Sequence, residues 1–447
     1  MISLAVSIAK FGNCNFPLAE FRDPNTTVPT VGRQKKSVKW VELVKRDSRS
    51  PVPAARFYIA PNGSDNNNGN IEHPFATLNK AWTVVSPGDL IYMRGGTYAF
   101  RTQQYLSGKS GTSNNLIKVW AYPGETPILT KGENYTHLYY RGGCYFSGDY
   151  VHFKGLDISG FTQENSHVWN GLLIIDSNHN IFERLNVHHN GGGLYIQGKS
   201  TNNLVLNSDF HHNYDPFTHG GNADGVDLGY IASGSTNTVR GCRAWWNSDD
   251  GFDTWSNDGL VVLENNWSWY NGYLPDTLTP SGNGTGFKLG LSAVNPTVLL
   301  RILRNNVAFK NREHGYDKNG AQVRMEFVNN IAYDNGGDGF HVDNPGSHTF
   351  KNNISYNNHR HQVIISAGSI SAHNSAGGAG ELNNWTKNVS DADFLSISPT
   401  GVDGARRSDG RLPALKFLHL APTSDLISAG ADVGLPYHGK APNIGAF

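Results

Sequence analysis

A three-residue frame recurs along the chain: a glycine, a large apolar residue, then a polar or charged one. It reads Gly225-Val226-Asp227, Gly251-Phe252-Asp253, Gly286-Phe287-Lys288, Gly315-Tyr316-Asp317 and Gly339-Phe340-His341. Successive side chains of a strand face opposite ways. Val226, Phe252, Phe287, Tyr316 and Phe340 are therefore predicted to point into a core, and the residue after each to point out. An independent marker runs beside the frame. An asparagine closes a short β-rich segment at Asn190, Asn213, Asn247, Asn271, Asn311, Asn335 and Asn357, in steps of 23, 34, 24, 40, 24 and 22 residues. A period in the twenties with short alternating strands predicts an all-β fold, a right-handed parallel β-helix with one coil per repeat. The consensus of a leucine-rich repeat is absent. Asparagine tolerates left-handed backbone and bonds to nearby backbone, so an Asn ladder is expected at one corner of the coils. The two long steps hold insertions, HNYDPFTHGGNADG and GYLPDTLTPSGNGTG, leading up to Asp224 and Lys288.

The ends break the repeat. Phe57–Ala60 reads as a strand, Phe75–Val85 as a helix, and Pro87–Tyr98 as strand, turn, strand. The helix is expected to plug the open N-terminal end, because an uncovered solenoid end exposes core and strand edges. Residues 56–447 thus read as one β-helix domain, with an N-terminal cap over about 56–100 and a C-terminal cap over about 391–447. Met1–Phe11 carries an apolar run without a basic start or a clear cleavage site. Residues 1–55 read as a tail, a degenerate export signal and a linker.

Composition narrows the class. Glycine supplies 51 of 447 residues, charged residues are 17% and hydrophobic residues 38%. That is too apolar for disorder and too rich in turn residues for a helical protein. With 37 basic and 37 acidic residues, no basic bias favours nucleic acid. No stretch approaches the ~20 apolar residues of a membrane span. Cys14, Cys144 and Cys242 are too few, and odd in number, for a disulfide framework, and are expected as buried thiols.

If the coils stack in register, one outward column carries Asp227, Asp253, Lys288 and Asp317. That is a cation site beside a candidate base. The opening YIAPNGSD, the elements NADGVD, SDDGFD and GNGTGFKLG, and the closing APNIGAF resemble pectate lyases of polysaccharide lyase family 9. The resemblance implies a secreted, calcium-dependent enzyme, with Asp224, Asp249, Asp250 and Asp253 as calcium ligands and Lys288 as the base. It implies an acidic polysaccharide, polygalacturonate, as partner; the expectation is a monomer that binds neither nucleic acid nor membrane.

The chemistry is consistent with this. Ca²⁺ takes six to eight oxygen ligands, and coils about 4.8 Å apart let carboxylates of neighbouring turns share one ion. The plain alternative is a turn ladder of solvated carboxylates, with Lys288 as their salt-bridge partner. β-Elimination of a uronate needs its carboxylate neutralised and its C5 proton removed by a base. Calcium would favour a deprotonated lysine and neighbouring aspartates would oppose it. Asp227, Lys310, His314, Asp317, Lys318 and His341, with Arg312, are candidates for substrate contact. Of Trp245, Trp246, Trp255, Trp267 and Trp269, one or two are expected to meet sugar. The pairs His188–His189 and His211–His212 have the look of metal ligands, but beside the Asn ladder they read as corner packing. Competing functions are a lyase on alginate or a glycosaminoglycan, a β-helix glycoside hydrolase, and a non-catalytic glycan-binding β-helix.

Overall fold

The computed structural model describes residues 53–447, apart from 138–141, 165–167, 291–294, 296, 344, 379–384 and 386. The segment expected as tail and export signal, and Cys14 with it, falls almost wholly outside these residues. The described chain is a right-handed parallel β-helix of three sheets. The first has 12 strands, from Phe57–Ile59 to Ile370–Ala372; the second has 12, from Gly96–Thr102 to Lys387–Asn388; the third has 10, from Tyr105–Ser107 to Val363–Ile365. Each coil visits the first, second and third sheet in turn, and strands of successive coils pair in parallel.

The recurring frame lies in the third sheet, in the register that its period demands. Val226 pairs with Phe252, Phe252 with Phe287, Phe287 with Tyr316 and Tyr316 with Phe340. Their rings form an internal stack, with centroids 4.9, 5.0 and 4.6 Å apart from Phe252 to Phe340. Each such side chain contributes roughly 1.5–3 kcal/mol by leaving water. The glycine before each ring is dictated by close approach. A Cβ on Gly251 would lie 2.1 Å from Ser268 Oγ, and one on Gly286 2.8 Å from both Asn311 Nδ2 and the Gly315 carbonyl.

The Asn ladder exists, but its mechanics differ from the expectation. Asn190, Asn213, Asn247, Asn271, Asn311 and Asn335 are buried, and from Asn213 onward each Oδ1 accepts the backbone N–H of the equivalent Asn one coil earlier, while Asn190 Oδ1 accepts the Phe161 N–H. The left-handed residue is the one before each Asn: His189, His212, Trp246, Tyr270, Lys310 and Asp334 have φ between 52° and 54°. The last rung is Asn358, which bonds to Asn335, while Asn357 takes the left-handed position at φ 58°. A further ladder, Asn266, Asn306, Asn330, Asn353 and Asn374, runs along the start of the second sheet.

The helix is shorter than predicted, Leu78–Val84, because the Thr77 side chain caps it by accepting the Lys80 N–H. It buries Leu78, Ala81 and Trp82 against the first coils, with Trp82 edge-on to Phe146 at 6.0 Å. Cys144 and Cys242 are buried free thiols. No helix among the described residues is long and apolar enough to cross a membrane.

The C-terminal segment departs from the expected end cap. It runs back along the flank of the second sheet. Val389, Phe394, Val402, Phe417 and Leu426 cover an outward ridge of Trp245, Trp267, Trp269, Phe309 and Tyr333. At its far reach Arg243 donates to the Val402 and Gly404 carbonyls, and Arg406 and Arg243 clamp Asp209 at 2.7 Å each. The apolar outer face of this sheet is the physical reason: alternate strand positions there are aromatic and must be covered.

Candidate active site

Asp227, Asp253, Lys288, Asp317 and His341 stand in one outward column of the third sheet, each in register with the next. The turn feeding these strands carries a second column: Asp224, Asp250, Thr285, His314, Asp338 and His361. Most of its members do the same structural work. Asp224 Oδ1 accepts the Asp250 N–H at 3.1 Å, Asp250 Oδ1 that of Thr285 at 2.6 Å, His314 Nδ1 that of Asp338 and Asp338 Oδ1 that of His361, both at 3.1 Å. One oxygen of each carboxylate is thus committed to the ladder and the other is left facing the site.

Asp224, Asp249 and Asp250 each offer a carboxylate oxygen within 4.8 Å of the others, and all three are buried. The two insertions orient Asp249. Its Oδ2 accepts the Asn222 N–H at 2.7 Å and its Oδ1 the Asn283 N–H at 2.5 Å. The insertions hold each other through Gly282 N–H to the His219 carbonyl. Arg312, a candidate for substrate contact, instead donates to the Gly282 and Asn283 carbonyls at 2.7 and 2.6 Å. Lys288 Nζ lies 2.8 Å from Asp250 Oδ2 and 3.0 Å from Asp253 Oδ2. It is 7% exposed and sits 5.7 Å from the ring centre of Trp255. The rings of Trp245, Trp267 and Trp269 are buried, whereas Trp255 is exposed beside Lys288.

The electrostatics are those of a carboxylate cluster short of positive charge. Burial, then the charges of Asp249, Asp253 and Asp250, hold the Asp224 carboxyl well above its usual range. Burial and the Asp250 charge push Asp249 up to about 7. Burial, partly offset by Lys288, pushes Asp253 up to about 6. Desolvation alone would lower the Lys288 pKa, but Asp250, Asp253, Asp249 and Asp224 together outweigh it and raise it well above that of a free lysine. Asp253 Oδ1 is buried and has no hydrogen-bond partner. An all-oxygen set with excess negative charge and an unbonded buried carboxylate oxygen suits a hard divalent cation such as Ca²⁺.

These shifts carry a pH prediction. A carboxylate whose folded pKa is raised binds more protons folded than unfolded between about 4 and about 7, so without calcium it costs stability as pH rises through that window. The ion in turn requires deprotonated ligands. In chelator, melting temperature should fall from about pH 5 to about pH 7.5, calcium should restore it, and the calcium-induced gain should grow with pH over the same range. A calcium-induced gain that is flat with pH would contradict the assignment of Asp249 and Asp253.

The remaining candidates divide. His314 and His341 flank Asp338, with Nδ1 atoms 3.2 and 3.5 Å from its Oδ2. Burial would raise Asp338, but His314 and His361 hold it well below the usual carboxylate range. Lys318 pairs with Asp343 at 2.8 Å. Lys310 does not share this face: it follows the second-sheet strand Val307–Phe309, in the left-handed corner position, and pairs with Asp334. Sequence reasoning missed Asp338, although its Asp-Gly-Phe frame repeats that of Asp250. It also missed Arg301, wholly buried, which ties the strand ends of the site together. Arg301 donates to Thr254 Oγ1 and to the carbonyls of Leu289, Gly259 and Asn257 at 2.7–3.3 Å.

The chain matches the family model described as the Pel9A-like right-handed β-helix region over residues 57–375. It is 34% identical to pectate lyase L of Dickeya chrysanthemi, over 88% of this chain and 90% of that one. Pectate lyase L of Paenibacillus polymyxa is 32% identical over 100% of this chain and 97% of its own. The crystal structure of pectate lyase Pel9A superposes with a TM-score of 0.72 at 32% identity, covering 88% of this chain and 95% of that one. A rhamnogalacturonan lyase superposes at 0.69 with 28% identity, over 82% and 96%. The matched region includes every coil that carries the aspartates and Lys288, and this chain belongs to the Pel9A-like right-handed β-helix family.

Proposed function

We propose that this protein is a secreted, calcium-dependent polysaccharide lyase that cleaves pectate by β-elimination. The observation that carries the reading is the placement of Lys288, buried between Asp250 and Asp253 on the strand next to a cluster of three converging carboxylates. Asp224, Asp249, Asp250 and Asp253 are the residues that would hold calcium. Bound there, calcium supplies the Lewis acid that draws charge from a uronate carboxylate and so acidifies the C5 proton. Lys288 is positioned to take that proton once the aspartate charge holding its own proton is offset. The elimination then breaks the bond from C4 to the glycosidic oxygen and leaves a 4,5 double bond. Trp255, exposed beside Lys288, offers an apolar face to a sugar ring. Asp317 and His341 continue the column, with His314 and Lys318 beside them, as contacts for further sugar units, and Asp227 begins it.

A hydrolase would need a carboxylic acid and a carboxylate set across the scissile bond; here the column places a lysine among the carboxylates instead. The likeness to a rhamnogalacturonan lyase favours one second reading, the same elimination on a backbone alternating galacturonate with a neutral sugar. The products distinguish these. On polygalacturonate the protein should release 4,5-unsaturated uronides that absorb in the near ultraviolet. New reducing ends without that absorbance would overturn the lyase reading. Absorbance only on rhamnogalacturonan would move the substrate and leave the reaction type intact.

A further inference from the structure

Two histidine pairs lie outside the column, on the outer face of the second sheet. His188 ends the strand Asn186–His188 and His211 the strand Asp209–His211, one coil on. The rings of His188 and His211 stack with centroids 4.7 Å apart, and those of His189 and His212 at 5.1 Å. Corner packing accounts for the stacking. It does not account for the nitrogens. Within each pair the two Nδ1 atoms face each other at 2.6 Å, His188 against His189 and His211 against His212.

The outer nitrogens fix the protons. A carboxylate can only accept, so His188 Nε2, 3.1 Å from Asp157 Oδ2, carries its hydrogen, and so does His212 Nε2, 3.0 Å from Asp276 Oδ1. His211 Nε2 lies 3.0 Å from Asn186 Oδ1. The Asn186 amide is oriented by its Nδ2, which donates to Asp157 Oδ2 at 2.7 Å, so this Oδ1 also accepts. In the neutral ring each of these three histidines then has a bare lone pair on Nδ1. Lone pairs of His211 and His212 would confront each other at 2.6 Å with nothing between them. A histidine whose outer N–H is held by a carboxylate or amide oxygen, with the other nitrogen bare and directed inward, is the usual arrangement around a transition-metal ion.

We propose that His188, His189, His211 and His212 form a binding site for a borderline-soft divalent ion of the Zn²⁺ class, separate from the carboxylate cluster. The ligand nitrogens of His188, His189 and His211 already lie within 4.8 Å of one another. Zinc–nitrogen bonds of about 2.1 Å place tetrahedral ligands about 3.4 Å apart, so each facing pair opens by under about 1 Å while the coils' rings lean together. Imidazole ligands select this class of ion over calcium, which takes oxygen. Asp276 lies in the insertion that precedes Lys288, so the ion would also tie that insertion to the second sheet.

The test is zinc uptake by chelator-stripped, full-length protein in excess calcium, followed by calorimetry and by metal analysis after gel filtration. One zinc per chain is expected. His189→Gln, at an exposed position, should weaken it at least 10-fold. The pair His188→Ala with His211→Ala should abolish it, and Asp157→Asn should cost about 10–100-fold through loss of the carboxylate charge behind the His188 ring. Asp250→Asn should leave it unchanged. No uptake by the wild-type protein would overturn the proposal. So would uptake indifferent to His189→Gln and Asp157→Asn, or uptake lost in Asp250→Asn, which would put the zinc among the carboxylates.

Discussion

Replacing Lys288 by alanine should lower turnover on pectate by about 10²–10⁴-fold or more, the range that a positioned general base supplies. Lys288→Arg should fall almost as far, since a guanidinium keeps its proton at any usable pH. The two substitutions separate a base from an ion-pair partner of Asp250 and Asp253. Arginine preserves the charge between those carboxylates, so near-normal turnover in Lys288→Arg would take the proton transfer away from this residue. The alanine variant carries a structural cost as well. Removing one member of a buried charge cluster typically costs about 3–5 kcal/mol, because Asp250 and Asp253 lose their cation at 2.8 and 3.0 Å. Melting should therefore be recorded in calcium, where the ion offsets the carboxylates, and rates compared only between variants that are folded under those conditions.

Calcium removal should abolish turnover, and Asp250→Asn should reproduce that loss at low calcium while recovering in part at high calcium. The amide oxygen of asparagine can still accept the Thr285 N–H that Asp250 Oδ1 now takes at 2.6 Å, so the turn survives. What is lost is one unit of ligand charge, the quantity that tunes calcium affinity over orders of magnitude; a loss of about 100-fold is expected. Activity and calorimetry across a calcium series would measure both effects. Full activity in excess chelator, with elemental analysis showing no bound metal, would refute the role of the aspartates.

The register of the site was legible because two periodicities coincide. The alternation of side chains along a strand fixes which face a residue takes, and the glycine in each frame fixes which residues stack. Asp253 and Lys288 could be placed side by side from that alone. Asn357 was harder: it neighbours Asn358, and only the hydrogen-bond partner shows which of the two is the rung. Lys310 was misplaced for a similar reason, since nearness to Lys288 in sequence does not mean the same sheet. Arg301 gave no signal, because an arginine inside a strand pattern reads as exposed until its carbonyl partners from two loops are brought around it. The charge balance at Lys288 was open in sequence. The four buried carboxylates around it tip that balance toward a lysine that keeps its proton.

The flank segment changes how the molecule comes together. A stack of coils that touch only their neighbours can grow or fray one turn at a time. Here Arg184 bonds to the Ser408 carbonyl across 224 residues, and Arg406 to Asp209 across 197. Contacts at such separation form only after the intervening coils are in place. The ridge of tryptophans on the second sheet accordingly stays open to solvent until the last part of the chain arrives. A chain halted before residue 391 would present that ridge as an adhesive stripe, and the completed protein should unfold as a single unit instead of unwinding from its ends.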